Sequence, residues 1–136
     1  MTTMRIHRSV LEDLEEYLEV TTMSDSFTDD NDPEDVDLYE RLHDRLAVLR
    51  EESGKKPWIE AGEFDDDETE VLSSEADNRL NVHQGNLKML SGMPARNTSG
   101  WLSRHGRWVH QSDIREYDAL EKVIKAYQMF LRDLRQ

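Results

Sequence analysis

Hydrophobic residues recur with helical spacing near the start of the chain. In residues 4–20 they form one stripe, and acidic residues fill the opposite face, so the pattern predicts an amphipathic helix. Residues 21–31 are mostly polar and acidic and predict a loop. The stripe consists of Val10, Leu11, Leu14, Tyr17 and Leu18.

A second helix is predicted after this loop. Asp32 is a suitable N-cap, and Pro33 suits the first helical position because its missing N–H has no partner there. Gly54 is the expected C-terminal stop, which ends the helix near Glu52. The apolar face of this helix consists of Leu38, Leu42, Leu46 and Leu49.

A third helix is predicted from Asp113 to near Arg135. Its apolar residues alternate three and four positions apart, which is the pattern of a heptad seam. We expect this seam to form a homodimer interface, and the alternative is a three-helix core within one chain. The seam consists of Tyr117, Leu120, Ile124, Tyr127, Leu131 and Leu134.

The overall charge is strongly negative, and this limits the function classes. The net charge of −13 argues against general attraction to nucleic acid or anionic membranes, so any such contact must be local. Without cysteine there is no disulfide, thiolate nucleophile or sulfur-ligated zinc. Without a long apolar run or signal peptide, we expect a cytoplasmic protein with no membrane contact. Twelve arginines against five lysines fit a halophilic source or an ordinary acidic phage or bacterial protein equally well.

Residues 78–111, here called the basic segment, reverse this charge. They carry +5 with no carboxylate, so the other residues carry −18. Just before them, residues 55–69 lose periodicity and are dense in acids, which predicts an acidic linker. That linker lacks the pattern of a calcium loop, in which oxygen ligands at fixed spacing surround a glycine at the sixth position.

Two short helices and a β-hairpin are predicted in and around the basic segment. Ser73 or Ser74 can cap a helix that ends near Leu80, Asn81 can adopt the left-handed turn, and His83 can cap a second helix. Residues 101–110 read as a hairpin with His105-Gly106 as its turn.

This order of elements resembles the winged helix-turn-helix of the MerR and excisionase type. The matching residues are Glu75-Ala76, Leu80, Val82, Gly106-Arg107-Trp108 and Asp113-Ile114. Gly92-Met93-Pro94 is similar to the break after the recognition helix in small subunits of phage terminases, which share the module. The resemblance covers residues 70–118.

The resemblance implies a mainly α fold with a small β-hairpin. Its expected parts are an acidic helical extension (1–54), the acidic linker (55–69), the winged helix-turn-helix (70–112) and a C-terminal helix (113–136). Within the module, residues 83–91 would be the recognition helix and residues 101–110 the basic wing. Trp101 and Trp108 are expected to pack the hairpin on the helices.

The implied function is sequence-specific binding of double-stranded DNA, as a transcriptional regulator. Gln and Asn can read adenine, and basic residues can contact guanine or phosphate. The same cations could instead pair with carboxylates of the chain. The candidate DNA-binding residues are Gln84, Asn86, Lys88, Arg96, Arg104, His105 and Arg107.

Two alternatives remain open. One is a DNA-packaging recognition subunit of a phage, and the other is an acidic interaction factor or DNA-mimicking inhibitor that binds a protein through its acidic N-terminal region. No catalytic signature stands out, so neither an enzyme nor a cofactor is predicted. His83, His105 and His110 do not predict a metal site, since the last two lie across a hairpin and no cysteine assists them.

Overall fold

The computed structural model describes residues 4–92 and 99–136. It is mainly helical, with two small antiparallel sheets and a long C-terminal helix, which confirms the predicted fold class. Within these residues, no helix combines the length and the apolar character needed to cross a membrane.

The N-terminal part begins with a strand rather than a helix. Strand β1 (Met4–His7) pairs with β2 (Trp58–Gly62), and helix α1 (Arg8–Thr22) follows β1. Ile6 in β1 and Ile59 in β2 are buried. The predicted helix therefore starts four residues late, and the predicted acidic linker contains a strand. A short helix, α2 (Asp25–Asp30), stands where a loop was predicted.

Helix α3 (Pro33–Glu52) matches its prediction at both ends. Asp32 occupies the N-cap position, although its side chain makes no capping hydrogen bond, Pro33 opens the helix, and Gly54 just beyond the end has a φ of 61°. Leu42 and Leu46 are fully buried between this helix and the rest of the core.

Helix α4 (Asp66–Leu90) contradicts the helix-turn-helix prediction. It runs unbroken through Asn81, which is helical, and His83 is buried in mid-helix rather than capping a second helix. The apolar positions on either side of Asn81 continue one helical face without a change of phase, so no turn is needed to bring them together. Asp65 and Glu68 form a capping box at the start of α4, inside the predicted linker.

The hairpin prediction is confirmed within a three-stranded sheet. Strands β3 (Ser91–Gly92), β4 (Trp101–Arg104) and β5 (Arg107–His110) lie in the order β3-β5-β4. His105 and Gly106 form the turn with φ values of 50° and 80°. A 3₁₀ turn (Gln111–Asp113) then leads into helix α5 (Ile114–Leu134).

The seam of α5 is buried within the single chain. Helix α5 runs antiparallel to α4, with His83 beside Tyr127 and Arg135 bonded to Ser73. All the seam residues except Leu120, which is half-buried, have exposures of 8% or less: Tyr117, Ile124, Tyr127, Leu131 and Leu134. A homodimer stays a prediction, and it would have to use other residues.

The far end of the α4–α5 pair extends beyond the main core. That core joins β1, α1, α3 and β2 to residues 72–80 of α4 and 123–134 of α5. Beyond it, Val109, Tyr117 and Ile124 are buried in a separate small group. We call residues 81–92 and 99–125, which comprise the end of α4, the second sheet and the start of α5, the arm.

Candidate nucleic-acid interface

Helix α4 carries three of the predicted DNA-binding residues, of which Gln84 and Lys88 share the outer face and Asn86 lies on another side of the helix. Gln84, Asn86 and Lys88 are all exposed, while His83 is buried and Leu87 half-buried on the inner face. Lys88 has no carboxylate partner among the described residues. The structure therefore leaves the predicted recognition side chains open to solvent, although on a long helix instead of a short one.

Other exposed residues of α4 extend this surface. Asn78, Asn81, Gln84 and Lys88 follow one another at intervals of three and four residues, so they form one polar stripe. Beside the stripe lie Val82 and Met89, which are 47% and 84% exposed. We call these six residues the α4 surface; it contains no carboxylate.

The predicted wing residues Arg104 and His105 each lie beside a carboxylate of α5, although the His105 side chain stays 70% exposed. Arg104 Nε lies 3.4 Å from Asp118 Oδ1, and His105 Nε2 lies 3.2 Å from Glu121 Oε2. For these two residues the structure shows the alternative that the sequence left open, which is pairing with carboxylates of the same chain.

Arg107 and Arg96 have different outcomes. Arg107 is exposed and makes no ion pair with another described residue. It lies beside Tyr117, where its positive charge lowers the phenol pKa, although burial and Glu121 raise that pKa overall. Arg96 lies outside the described residues.

A cleft of about 260 Å³ joins the hairpin tip to the helices. Its basic lining comes from His105, Arg107 and Lys125, and its floor includes Leu87 and Ile124. Glu121 also lines it, so the cleft is less positive than its cations alone imply. The cleft opens at the side of the arm, and its lining residues do not form a catalytic arrangement.

Trp108 does not pack on the helices, so that prediction is wrong. It is 37% exposed, whereas its neighbour Val109 is fully buried and fills the inner face of the sheet. Trp101 packs edge-on against His110, with ring centroids 5.5 Å apart. The sequence signal was available, because neighbouring strand residues point to opposite faces and only one of the pair could face the helices.

A buried polar network anchors α4 to the core just before the arm begins. Asp13 of α1 accepts two hydrogen bonds of 3.0 Å from Arg79 and lies 3.0 Å from His83 Nε2. Tyr127 of α5 donates a further hydrogen bond to the same carboxylate. Three helices therefore meet at one carboxyl group.

Burial raises the pKa of Asp13, but the hydrogen bonds from His83, Arg79 and Tyr127 outweigh burial and hold it well below its usual range. Burial and the Asp13 charge raise the pKa of Tyr127. The sequence placed Asp13 on the solvent side of α1. Its position three residues after Val10 and four before Tyr17 could have shown that it lies near the apolar stripe.

A second buried carboxylate lies one turn earlier on α4. Tyr39 of α3 donates a hydrogen bond of 2.9 Å to Glu75, which is only 8% exposed. Burial and the contact with Glu75 raise the pKa of Tyr39. This hydrogen bond connects α3 to α4. The contacts of Asp13 and of Glu75 therefore both fix the part of α4 that precedes the arm.

One cluster has the geometry of a metal site. Ligand atoms of Glu15, Glu19 and His43 lie within 4.8 Å of one another, between α1 and α3. Carboxylate and imidazole ligands suit zinc or manganese. Arg50 already lies 3.3 Å from Glu15, however, and compensates its charge. Sequence spacing does not indicate this set, because His43 belongs to a different helix from Glu15 and Glu19.

A groove between α3 and α4 is strongly acidic. It lies at the base of the molecule, away from the arm, and Arg41 is its basic lining residue. Its carboxylates are Glu34, Asp35, Asp37, Asp67 and Glu70.

Comparison with models of known families, with curated proteins and with solved structures finds no match to this chain. The resemblance to MerR and excisionase proteins therefore has no support from relatives.

Proposed function

We propose that the protein binds double-stranded DNA through the arm, as a sequence-specific regulator. The observation that carries this proposal is the α4 surface, which presents amide groups and an unpaired lysine on one exposed helical face. It lies in a segment of +5 charge without a carboxylate, on a chain of −13. The same surface would also serve a DNA-packaging subunit that recognises DNA.

The chemistry of the α4 surface suits the major groove. That groove is about 12 Å wide and admits an α-helix. The amides of Asn81 and Gln84 can read adenine, and Lys88 can contact a guanine edge or a phosphate. Val82 and Met89 offer apolar contact for thymine methyl groups.

The acidic base of the molecule restricts how DNA can approach. The acidic groove between α3 and α4 should repel phosphates, and the cations of the arm should attract them. If Lys88 and Arg107 each neutralise one phosphate, the logarithm of the binding constant should fall with a slope of about −2 against the logarithm of salt concentration. With so weak a salt dependence, contacts to the bases would have to provide most of the discrimination between DNA sequences.

Fluorescence anisotropy with duplexes enriched from a random library tests the proposal. Lys88→Glu should weaken binding at least tenfold, and Gln84→Ala should reduce the preference for the selected sequence. Lys55→Glu is the matched control, because it makes the same charge change at an exposed lysine outside the arm. If the wild type enriches no sequence, or if the two lysine variants lose affinity equally, the proposal is wrong.

The acidic groove favours a second candidate, a factor that binds a basic protein. Its five carboxylates line one side of the molecule and could pair with lysines or arginines of a partner. Capture of a basic protein that Asp35→Asn with Asp37→Asn abolishes, and that Lys88→Glu leaves unchanged, would support this candidate over DNA binding.

A further inference from the structure

Two glutamates and a histidine meet where helix α1 packs on helix α3. Glu15 and Glu19 lie one turn apart on α1, so they share a face of that helix. His43 belongs to α3, and the ligand atoms of the three side chains lie within 4.8 Å of one another. Buried leucines on both helices hold the two backbones in place beside this cluster: Leu14, Leu18, Leu42 and Leu46.

The imidazole of His43 has a nitrogen without a hydrogen-bond partner. Its Nε2 atom is shut off from solvent and makes no hydrogen bond with any described residue. Glu15 Oε1 lies 3.8 Å away, which is too far for a hydrogen bond. Buried polar atoms nearly always have a partner, and where the protein provides none, a bound water or ion commonly does. A cation between Nε2 and Oε1 would bind both atoms.

Arg50 does not block such a cation, because it binds the other oxygen of Glu15. Its Nη1 atom lies 3.3 Å from Glu15 Oε2 and 3.1 Å from Glu16 Oε1. Glu15, Glu16 and Glu19 together with Arg50 therefore leave two negative charges at this place. A water molecule would satisfy Nε2 of His43 but leave both charges uncompensated, whereas a divalent cation would neutralise them.

We propose that Glu15, Glu19 and His43 bind one divalent metal ion of the zinc class. One imidazole and two carboxylates suit zinc better than calcium or magnesium, which take oxygen ligands. Ligand atoms around a tetrahedral zinc lie about 3.4 Å apart, so Glu15 and His43 at 3.8 Å are close to the required spacing. Glu19 is exposed, so its side chain can rotate to complete the set, and water would take the fourth position.

The other ring nitrogen of His43 also fits a metal ligand. Nδ1 lies 3.6 Å from Asp44 Oδ1, and metal-binding histidines commonly direct their second nitrogen toward a carboxylate. The bound ion would join α1 to α3 outside the arm. Metal binding is therefore independent of the proposed function, and either can fail without the other.

Calorimetric titration of the full chain with Zn²⁺, after treatment with a chelator, tests the site. The wild type should bind one equivalent, and Zn²⁺ should raise its melting temperature because the ion binds the folded form. His43→Gln and Glu19→Gln should each weaken binding by at least about tenfold, since even the loss of an outer contact to a metal ligand costs that much. Glu40→Gln is the matched control, because it makes the same charge change at an exposed glutamate outside the ligand set.

The imidazole NMR signals of the five histidines show where the ion binds. Those of His43 should shift first as Zn²⁺ is added. Binding that survives both ligand variants, an equal loss in Glu40→Gln, or a first shift at His105 beside Glu121 overturns the proposal. Absence of binding by the wild type overturns it too, and leaves His43 and Glu15 as an ordinary ion pair. Because Glu19 is exposed, Glu19→Gln should fold like the wild type and decides the matter even if His43→Gln unfolds.

Discussion

Replacing Asp13 by alanine should be among the most damaging single changes in this protein. The substitution removes the acceptor shared by Arg79, His83 and Tyr127, and it leaves a guanidinium and a phenol half-buried or buried without their partner. Breaking a fully buried pair in this way costs about 3–5 kcal/mol. The Asp13 side chain is 19% exposed, so water compensates part of the loss. We therefore expect about 2–4 kcal/mol of lost stability.

The stabilisation by Asp13 should depend on pH, and the pKa of Asp13 shows in which direction. Because the pKa of Asp13 is lower in the folded protein than its usual value of about 3.9, its charge stabilises the fold fully above that pH. The contribution disappears as pH falls through the folded-state pKa. Asp13→Asn, which keeps the shape but not the charge, should therefore differ most from the wild type near neutral pH and less in acid.

Urea unfolding followed by circular dichroism at several pH values measures both effects. Asp37→Asn is the matched control, since Asp37 is 70% exposed and pairs with Arg41 on the same helix, where a pair contributes only about 0.3–0.5 kcal/mol. If Asp13→Ala costs no more than this control, or if the difference between Asp13→Asn and the wild type does not shrink in acid, the network does not anchor α4 as described.

Other predictions follow from the same contacts. Asn81→Ala should raise stability by a few tenths of a kcal/mol in urea unfolding, because alanine has the higher helix propensity (about 0.6 kcal/mol); a loss of about 1 kcal/mol would instead indicate the left-handed turn. Tyr39→Phe should destabilise by about 1–2 kcal/mol in the same assay, because it removes a hydrogen-bond donor from the buried Glu75 carboxylate. Arg104→Ala should change DNA affinity less than Lys88→Glu in anisotropy titrations, since Arg104 is paired with Asp118.

Local signals in the sequence were sufficient for some elements. Asp32, Pro33 and Gly54 mark the two ends of α3 by chemistry that acts within a few residues, and the structure agrees. The same holds for the hairpin, where His105 and Gly106 adopt the positive φ values that the turn requires. Such elements can be predicted without knowing how the rest of the chain folds.

Helix α4 was missed because its local propensities oppose its tertiary contacts. Asn81, His83 and Gly85 all favour helix weakly, so a break among them was a reasonable expectation. The helix persists because its inner face packs on α5, with Ala76 fully buried and His83 bonded to Asp13. These partners lie far away in the sequence, and no pattern near Asn81 could reveal them.

The candidate site was predictable only in part, for a similar reason. The exposure of Gln84, Asn86 and Lys88 followed from helical phase alone. The pairing of Arg104 with Asp118 depends on how the hairpin lies against α5, which is a tertiary arrangement. Trp108 was assigned to the scaffold because buried tryptophans are common, although strand alternation places it opposite Val109.

Contact of nucleic acid with the arm, and not with the acidic groove between α3 and α4, is the main expectation. It is tested most directly by titrating isotope-labelled protein with a selected DNA duplex and following the backbone amide signals. Shifts should be concentrated in residues 78–89 and in the neighbouring sheet, while the signals of residues 34–41 should stay unchanged. Shifts confined to residues 34–41 and 67–74, or no shifts at any DNA concentration, would contradict it.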